Sequence, residues 1–228
     1  MGVNARVFDL IVQHCKQGGK ALSAGYPDML VPLENLMNGL GGQAITIPKD
    51  EASDTIINMH GLAGKLKYAP DARAVFKALG YDLTVIDIYQ ERGCERIVDL
   101  NYPAEIGEYD LVVDHGTIEH CFNIAQAAIN LASAVKVGGH IVQHLPMSMF
   151  NHGLYNLNPT WFWSFYPKNG FEILHMEGFA YPNQIGELPK HDLFTVTAQN
   201  MLITVVAKRV EKKPISYQMQ QKYAAEVA

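Results

Sequence analysis

The stretch Tyr109–Pro146, YDLVVDHGTIEHCFNIAQAAINLASAVKVGGHIVQHLP, constrains the fold more than any other part of the chain. It opens with an apolar strand, Leu111–Val113, that runs out into a polar, flexible crest of Asp114, His115 and Gly116. A helix is expected next, because Ile124, Ala128, Leu131 and Val135 recur at three- and four-residue spacing. Gly138-Gly139 is expected to stop it, and Ile141–Leu145 reads as a second buried strand. Strand, helix and strand in succession make a right-handed crossover with parallel strands. In open sheets of this kind, ligands bind beyond the carboxyl ends of the strands. Asp114, His115, Gly116, Glu119 and His120 gather at one such end, and His144 lies at the next.

The rest of the chain extends this unit. Val3–Cys15 places Val3, Val7, Ile11 and Cys15 on one helical face, ended by Gly18-Gly19. Lys20–Ala24 reads as a short strand that breaks at Gly25-Tyr26-Pro27-Asp28. From about Leu30 to Tyr68 the sequence is rich in Gly, Asn and Pro. It keeps enough apolar residues for one or two short helices, so it reads as an insertion rather than a linker. Asp71–Leu79 is expected to be helical, and Leu83–Ile88 and Arg96–Asp99 to be strands. Asn158 is placed to cap a helix that has Pro159 at its first position and ends near Gly170. Phe171–Met176 and Met201–Arg209 read as closing strands, expected to pair as a hairpin. The fold class implied is α/β: a doubly wound, mainly parallel sheet of about seven strands with its antiparallel end at those two. Residues 1–210 are expected to form one domain and 211–228 a polar tail.

Composition narrows the class of function. At 228 residues and 48% hydrophobic content the chain can bury a full core. A net charge of −5 and no basic run argue against a nucleic-acid surface. No apolar stretch reaches membrane-spanning length. Cys15, Cys94 and Cys121 are scattered and odd in number, which suggests neither a disulfide framework nor a zinc knuckle. With no basic-then-apolar leader at its start, the expected compartment is a reducing cytoplasm.

The strand ends line up as Leu22-Ser23-Ala24-Gly25, Asp87, Asp99-Leu100-Asn101 and Asp114-His115-Gly116. Together with TIEHCFN…AVKVGGHIVQHLP and NHGLYNLNPTWFWSFYPKNGF, they resemble the class I S-adenosylmethionine-dependent methyltransferases, in their small-molecule and glycan-type branch. The resemblance covers about Lys20 to Arg209. It implies a Rossmann-like methyltransferase fold, S-adenosylmethionine as cofactor, and methyl transfer to a small-molecule or glycan-like acceptor at oxygen. It also implies that Gly25 and Tyr26 form the close-approach turn, and that Asp87, followed by Ile88, takes the ribose hydroxyls. Asp99 would accept from the adenine amino group, with Leu100 packing on the ring. Asp114, His115 and Gly116 would lie where methyl donor and acceptor meet. Glu119 and His120 would orient the following helix. The usual second and third glycines are replaced by Tyr26, Pro27 and Asp28, and the gap from Gly25 to Asp87 is roughly three times that of a compact βαβ unit.

For general-base work the candidates are His152, His144 and His115, since imidazole titrates near neutrality. His152 lies in a loop expected to face the acceptor cavity together with Tyr155. No metal is expected: His115 and His120 do not share a helical face, and His140 and His144 lie too far apart along a strand. Cys121 reads as a small core residue. Of Trp161, Phe162, Trp163, Phe165 and Tyr166, most are expected in the core. The altered glycine turn keeps open a non-catalytic member of the fold, binding a nucleoside-like ligand or serving as an assembly subunit. A nicotinamide-dependent oxidoreductase is disfavoured, because no GxGxxG follows the first strand.

Overall fold

A computed structural model describes residues 2–42, 46–149, 151–180, 183–187 and 200–224. Residues 43–45 of the expected insertion and 225–228 of the expected tail therefore lie outside the described residues. The chain opens with β1 (Gly2–Asn4) and α1 (Ala5–His14), then β2 (Gly19–Ala24) and β3 (Asp28–Leu30). Three short helices follow, α2 (Leu33–Gly39), α3 (Ser53–Met59) and α4 (Ala72–Ala78). Next come β4 (Tyr81–Asp87), β5 (Arg96–Ile97), β6 (Tyr109–Asp114), α5 (Ile124–Ser133) and β7 (Val135–Pro146). The last elements are α6 (Pro159–Lys168), β8 (Phe171–Ala180), β9 (Asn183–Glu187), β10 (Met201–Arg209) and α7 (Gln221–Ala224).

Helix starts follow local chemistry. The side chains of Asn4, Asp71 and Asn158 accept backbone N–H groups of Val7, Ala74 and Thr160, at 2.9, 2.7 and 3.0 Å. Each satisfies a donor that the first helical turn leaves orphaned. Val7, Phe8 and Ile11 then carry the buried face of α1.

The main sheet has eight strands in the order β5-β4-β2-β6-β7-β10-β8-β9. Neighbours from β5 to β7 are parallel. β10 runs antiparallel to both β7 and β8. The first seven strands are the expected sheet, and β9 extends it by one antiparallel edge strand. The closing strands do pair antiparallel, but their connection carries β9, so they are not a simple hairpin. β6, an apolar run between two acids, sits at the centre as its composition requires.

One core packs α5 and α6 on the face bearing Leu22, Val112 and Ile203. A second packs α1 and α4 on the face bearing Leu111, Val113 and Val142. β1 and β3 form a separate two-stranded parallel pair.

Two expectations are corrected here. Val3 belongs to β1, and the first helix starts only at Ala5. The helix α5 ends at Ser133, not at the glycines, and Val135 already belongs to β7. The Tyr109 N–H donates to the Ala134 carbonyl at 2.8 Å, so sheet pairing takes over directly. The glycines instead make an irregularity in β7, where Leu111 pairs His140 although Tyr109 pairs Val135. Gly138 has φ +84°, and a Cβ on Gly139 would come 3.0 Å from the carbonyl oxygens of Tyr109, Asp110 and Lys136. The polar tail contacts the domain through Asn169, which accepts the Ser216 N–H at 2.9 Å and donates to the Ser216 carbonyl at 3.1 Å.

Candidate active site

β2 pairs β4 on one side and β6 on the other. The winding direction reverses between β2 and β6, the switch point at which doubly wound sheets hold ligands. A cleft of about 610 Å³ opens there, at the carboxyl ends of β2, β4, β5 and β6. Gly25, Tyr26, Asp87, Ile88, Asp99, Leu100, His115 and Gly116 all line it. Eight of the nine residues expected at the cofactor are thus brought together. Asp114 is not among them.

Gly25 follows β2 at φ +76° and its N–H donates to the Ile86 carbonyl at 2.8 Å. A Cβ here would meet Thr117 Oγ1 at 3.2 Å and Asp87 Oδ2 at 3.8 Å. Only glycine takes this backbone without strain and lets a ligand approach it. Asp87 Oδ1 accepts the Ile88 N–H at 2.6 Å. Asp99 Oδ1 accepts both the backbone and side-chain N–H of Asn101, at 2.9 and 2.8 Å. Leu100 contributes a buried apolar wall.

The residues that replace the usual glycines have a different task. Arg92, on the loop between β4 and β5, donates to Asp28 at 3.0 Å and to Asp50 at 2.9 Å. Its guanidinium also lies 4.8 Å from the centre of the Tyr26 ring. The Tyr26 hydroxyl donates to Asp50 at 3.1 Å. Burial, with Asp50 beside it, pushes the Tyr26 hydroxyl well above its ordinary range. This network binds the turn after β2 to the inserted segment. From that segment Ala52, Thr55, Ile56, Met59 and His60 supply one wall of the cleft.

Asp114, expected where donor and acceptor meet, is buried instead on the side of α6. Side chains alternate along a strand, so Asp114 shares its face with Val112. It accepts Gln143 Nε2 at 2.8 Å and the Thr117 N–H at 3.0 Å, and burial pushes its carboxyl up to about 6. Gln143 in turn accepts a short hydrogen bond from Tyr166.

His115 lines the cleft but is nearly inaccessible, and burial pushes its imidazole down to about 3. Its Nε2 lies 3.2 Å from Ser23 Oγ, whose hydroxyl donates to the Gly25 carbonyl at 2.7 Å. With the serine proton so engaged, Nε2 carries the imidazole proton and Nδ1 is a bare, buried acceptor.

His144 is corrected as a base: it is a core residue. Its Nδ1 pairs with Thr204 Oγ1 at 2.7 Å, its ring meets Phe179 edge-on, and burial pushes it down to about 4. His152 and Tyr155 are likewise absent from the cleft wall. The Tyr155 hydroxyl donates to the Phe122 carbonyl at 2.7 Å. His152 turns toward Glu119, 3.5 Å from its carboxylate, and its ring lies 5.6 Å from that of His120. Cys121 does line the cleft, but burial pushes its thiol up to about 11, which leaves too little thiolate for a nucleophile. Trp161, Phe162, Phe165 and Tyr166 stack among themselves on α6, and Trp163 packs against the same core.

Five parallel strands, the reversal beside β2 and the antiparallel strand β10 inserted between β7 and β8 complete the architecture. The chain has a doubly wound, Rossmann-like α/β fold, the architecture that the methyltransferase resemblance implies. No family model and no curated protein matches the sequence. Among solved structures, it is similar to the N-methyltransferase NodS from Bradyrhizobium japonicum in complex with S-adenosyl-L-homocysteine. That match has TM-score 0.49 and 10% identity, and covers 91% of this chain and 86% of the other. A 1,6-didemethyltoxoflavin-N1-methyltransferase from Burkholderia thailandensis gives TM-score 0.49 and 12% identity, over 91% of this chain and 78% of that one. TehB from Haemophilus influenzae is 18% identical at TM-score 0.42 over 59% of this chain, which spans only 52% of TehB. Among the described residues no helix is long and apolar enough to cross a membrane.

Proposed function

We propose that the protein transfers a methyl group from S-adenosylmethionine to a small-molecule or glycan-like acceptor, at an oxygen atom. The observation that carries this reading is the meeting of Asp87 and Gly25 across one cleft that Asp99 and Leu100 also line. The cleft is of a size for a nucleoside-bearing ligand, and its donor set fits S-adenosylmethionine. Asp87 keeps Oδ2 for the ribose hydroxyls while Oδ1 holds the Ile88 N–H. Asp99 similarly offers its second oxygen to the adenine amino group, with Leu100 against the ring. Gly25 leaves room for the amino acid end of the cofactor.

S-adenosylmethionine supplies an electrophilic methyl group on a sulfonium. The chain's part is to align that group with the acceptor and to keep water away, which is worth many orders of magnitude in rate when the geometry is right. Asp87, Asp99 and Glu91 along the cleft favour a cationic ligand. His115 does not serve as a base: it stays neutral and, with Ser23, braces the crest of β2 beside Gly25.

Calorimetric titration with S-adenosylmethionine and S-adenosylhomocysteine tests the reading. Asp87→Ala should weaken S-adenosylhomocysteine binding by about 1.5–3 kcal/mol, the scale of a lost charged hydrogen-bond partner. Unchanged affinity would remove Asp87 from the site. If the unmodified protein binds neither ligand, the second reading stands, a non-catalytic bearer of the fold. The contacts of Arg92 with Tyr26 and Asp28 favour that alternative, since they fix side chains where the family has its second and third glycines.

A further inference from the structure

Glu119 lies in the 3-10 turn Ile118–His120 that follows β6, and it is completely buried. Neither oxygen of its carboxylate has a hydrogen-bond partner, and neither does Nε2 of His152 beside it. Buried polar groups are almost always paired, so three such atoms in one place call for a ligand. Two imidazole nitrogens face Glu119 Oε1, His152 Nε2 at 3.5 Å and His120 Nε2 at 3.8 Å. Both distances are long for hydrogen bonds. They suit something between the groups instead. A tetrahedron with metal–ligand bonds of about 2.1 Å has edges of about 3.4 Å. All three donor atoms lie within 4.8 Å of one another.

The arrangement is built by the backbone. Gly153 packs so closely on Glu119 that a Cβ there would come 2.8 Å from Glu119 Cγ. The Leu154 N–H donates to the Glu119 carbonyl at 2.9 Å. The loop bearing His152 is thereby clamped onto the turn bearing Glu119 and His120, independently of what their side chains do.

We propose that Glu119, His120 and His152 bind one divalent transition metal. Two imidazoles and a carboxylate are a borderline-soft set that suits zinc, and three protein ligands leave one coordination position open, as in catalytic rather than structural zinc sites. His120 is half exposed and also lines the large cleft, so the open position is reached from there and takes an oxygen ligand. The assignment does not depend on the methyl-transfer reading, because its test needs no turnover and no S-adenosylmethionine.

The full chain, stripped with a chelator, is titrated with zinc in competition with a chromogenic chelator, and separately with cobalt(II) as a spectroscopic probe. One equivalent should bind, with the intense visible bands of four-coordinate cobalt. His152→Ala and His120→Ala should each weaken zinc binding by about 100-fold or more. Both side chains are partly exposed, so the variants should keep the native circular dichroism. Glu119→Gln, which keeps the shape and removes the ligand charge, is the second check and should abolish the cobalt bands. His14→Ala, at the end of α1 and outside the cleft lining, should bind as the parent does. Failure of the parent to take up zinc overturns the assignment. So does equally tight binding by the His120, His152 and Glu119 variants, which would put the metal elsewhere.

Discussion

Two glutamates, Glu177 on the sheet and Glu119 in the turn that follows β6, are both almost inaccessible and live in opposite surroundings. Glu177, on β8, receives Arg6 of α1 through two hydrogen bonds of 2.8 and 2.7 Å, and His175 approaches at 3.0 Å. Burial alone would raise its carboxyl, but Arg6 and His175 more than offset this and hold it below the ordinary range. Glu119, beside the cleft, has no arginine or lysine against it and no hydrogen bond to its carboxylate, only His120 and His152 at 3.8 and 3.5 Å, and burial pushes it up to about 8. Asp114 stands between the two: neutral donors satisfy it, and it rises only to about 6. The lesson concerns partners rather than depth. A carboxylate given a cation is fixed as part of the frame, whereas one left without partners at a strand end is available to a ligand.

The contrast breaks most severely at Arg6. Arg6→Ala would leave Glu177 buried and without its guanidinium partner. Removing one member of a buried pair costs about 3–5 kcal/mol. Arg6 is about one-third exposed, so a loss of about 2–4 kcal/mol is expected in urea unfolding. A change below about 0.5 kcal/mol, the scale of an exposed pair, would mean that Glu177 is not held as an anion.

Asp114 gives the next effect, through pH. Its carboxyl titrates at about 6 in the fold against 3.8 in the open chain. Between these values the unfolded chain has released the proton while the native chain retains it. Stability from the neutral form is therefore complete below the lower value and is lost as pH rises through the higher one. The loss is about 2–3 kcal/mol, at about 1.4 kcal/mol per unit. Denaturant midpoints of the parent should fall across this window, and those of Asp114→Asn should fall less. Parallel curves would show that Asp114 ionises normally in the fold.

The frame was largely legible in the sequence because its signals are local. An all-apolar run between acids predicts a central strand at 109–114, and Asn4, Asp71 and Asn158 announce helix starts through their own side chains. Gly25, Asp87 and Leu100 were legible because strand ends in a doubly wound sheet converge whatever lies between them. The misses are non-local. Val135 suits a helix face as well as a strand, and only pairing with Tyr109 decides for the strand. Asp114 looked like a crest residue, but strand alternation turns it inward, toward Gln143 and Tyr166. The ion pair of Arg6 with Glu177 joins opposite ends of the chain. Glu119 and His120 were singled out, as was His152, yet no spacing rule brings residues of two loops together. The close fit of Gly153 on Glu119 does that.

The smallest effect is expected at Glu119 itself, and it sharpens the comparison most. In chelator-treated protein at pH 7, Glu119→Gln removes no hydrogen bond, since neither oxygen makes one. The amide has nearly the shape of a carboxyl group that burial already keeps mostly protonated, so stability should change by less than about 1 kcal/mol. The same replacement at Glu177 would break its contacts with Arg6 and cost more. Adding zinc should then separate the parent from its variant. A metal that binds only the native state raises stability in proportion to the logarithm of its concentration over the dissociation constant. The parent's urea midpoint should therefore climb with added zinc, while that of Glu119→Gln stays level. A large loss in the metal-free variant would instead mean that Glu119 is charged and held by a cation, as Glu177 is, and the distinction between the two glutamates would collapse.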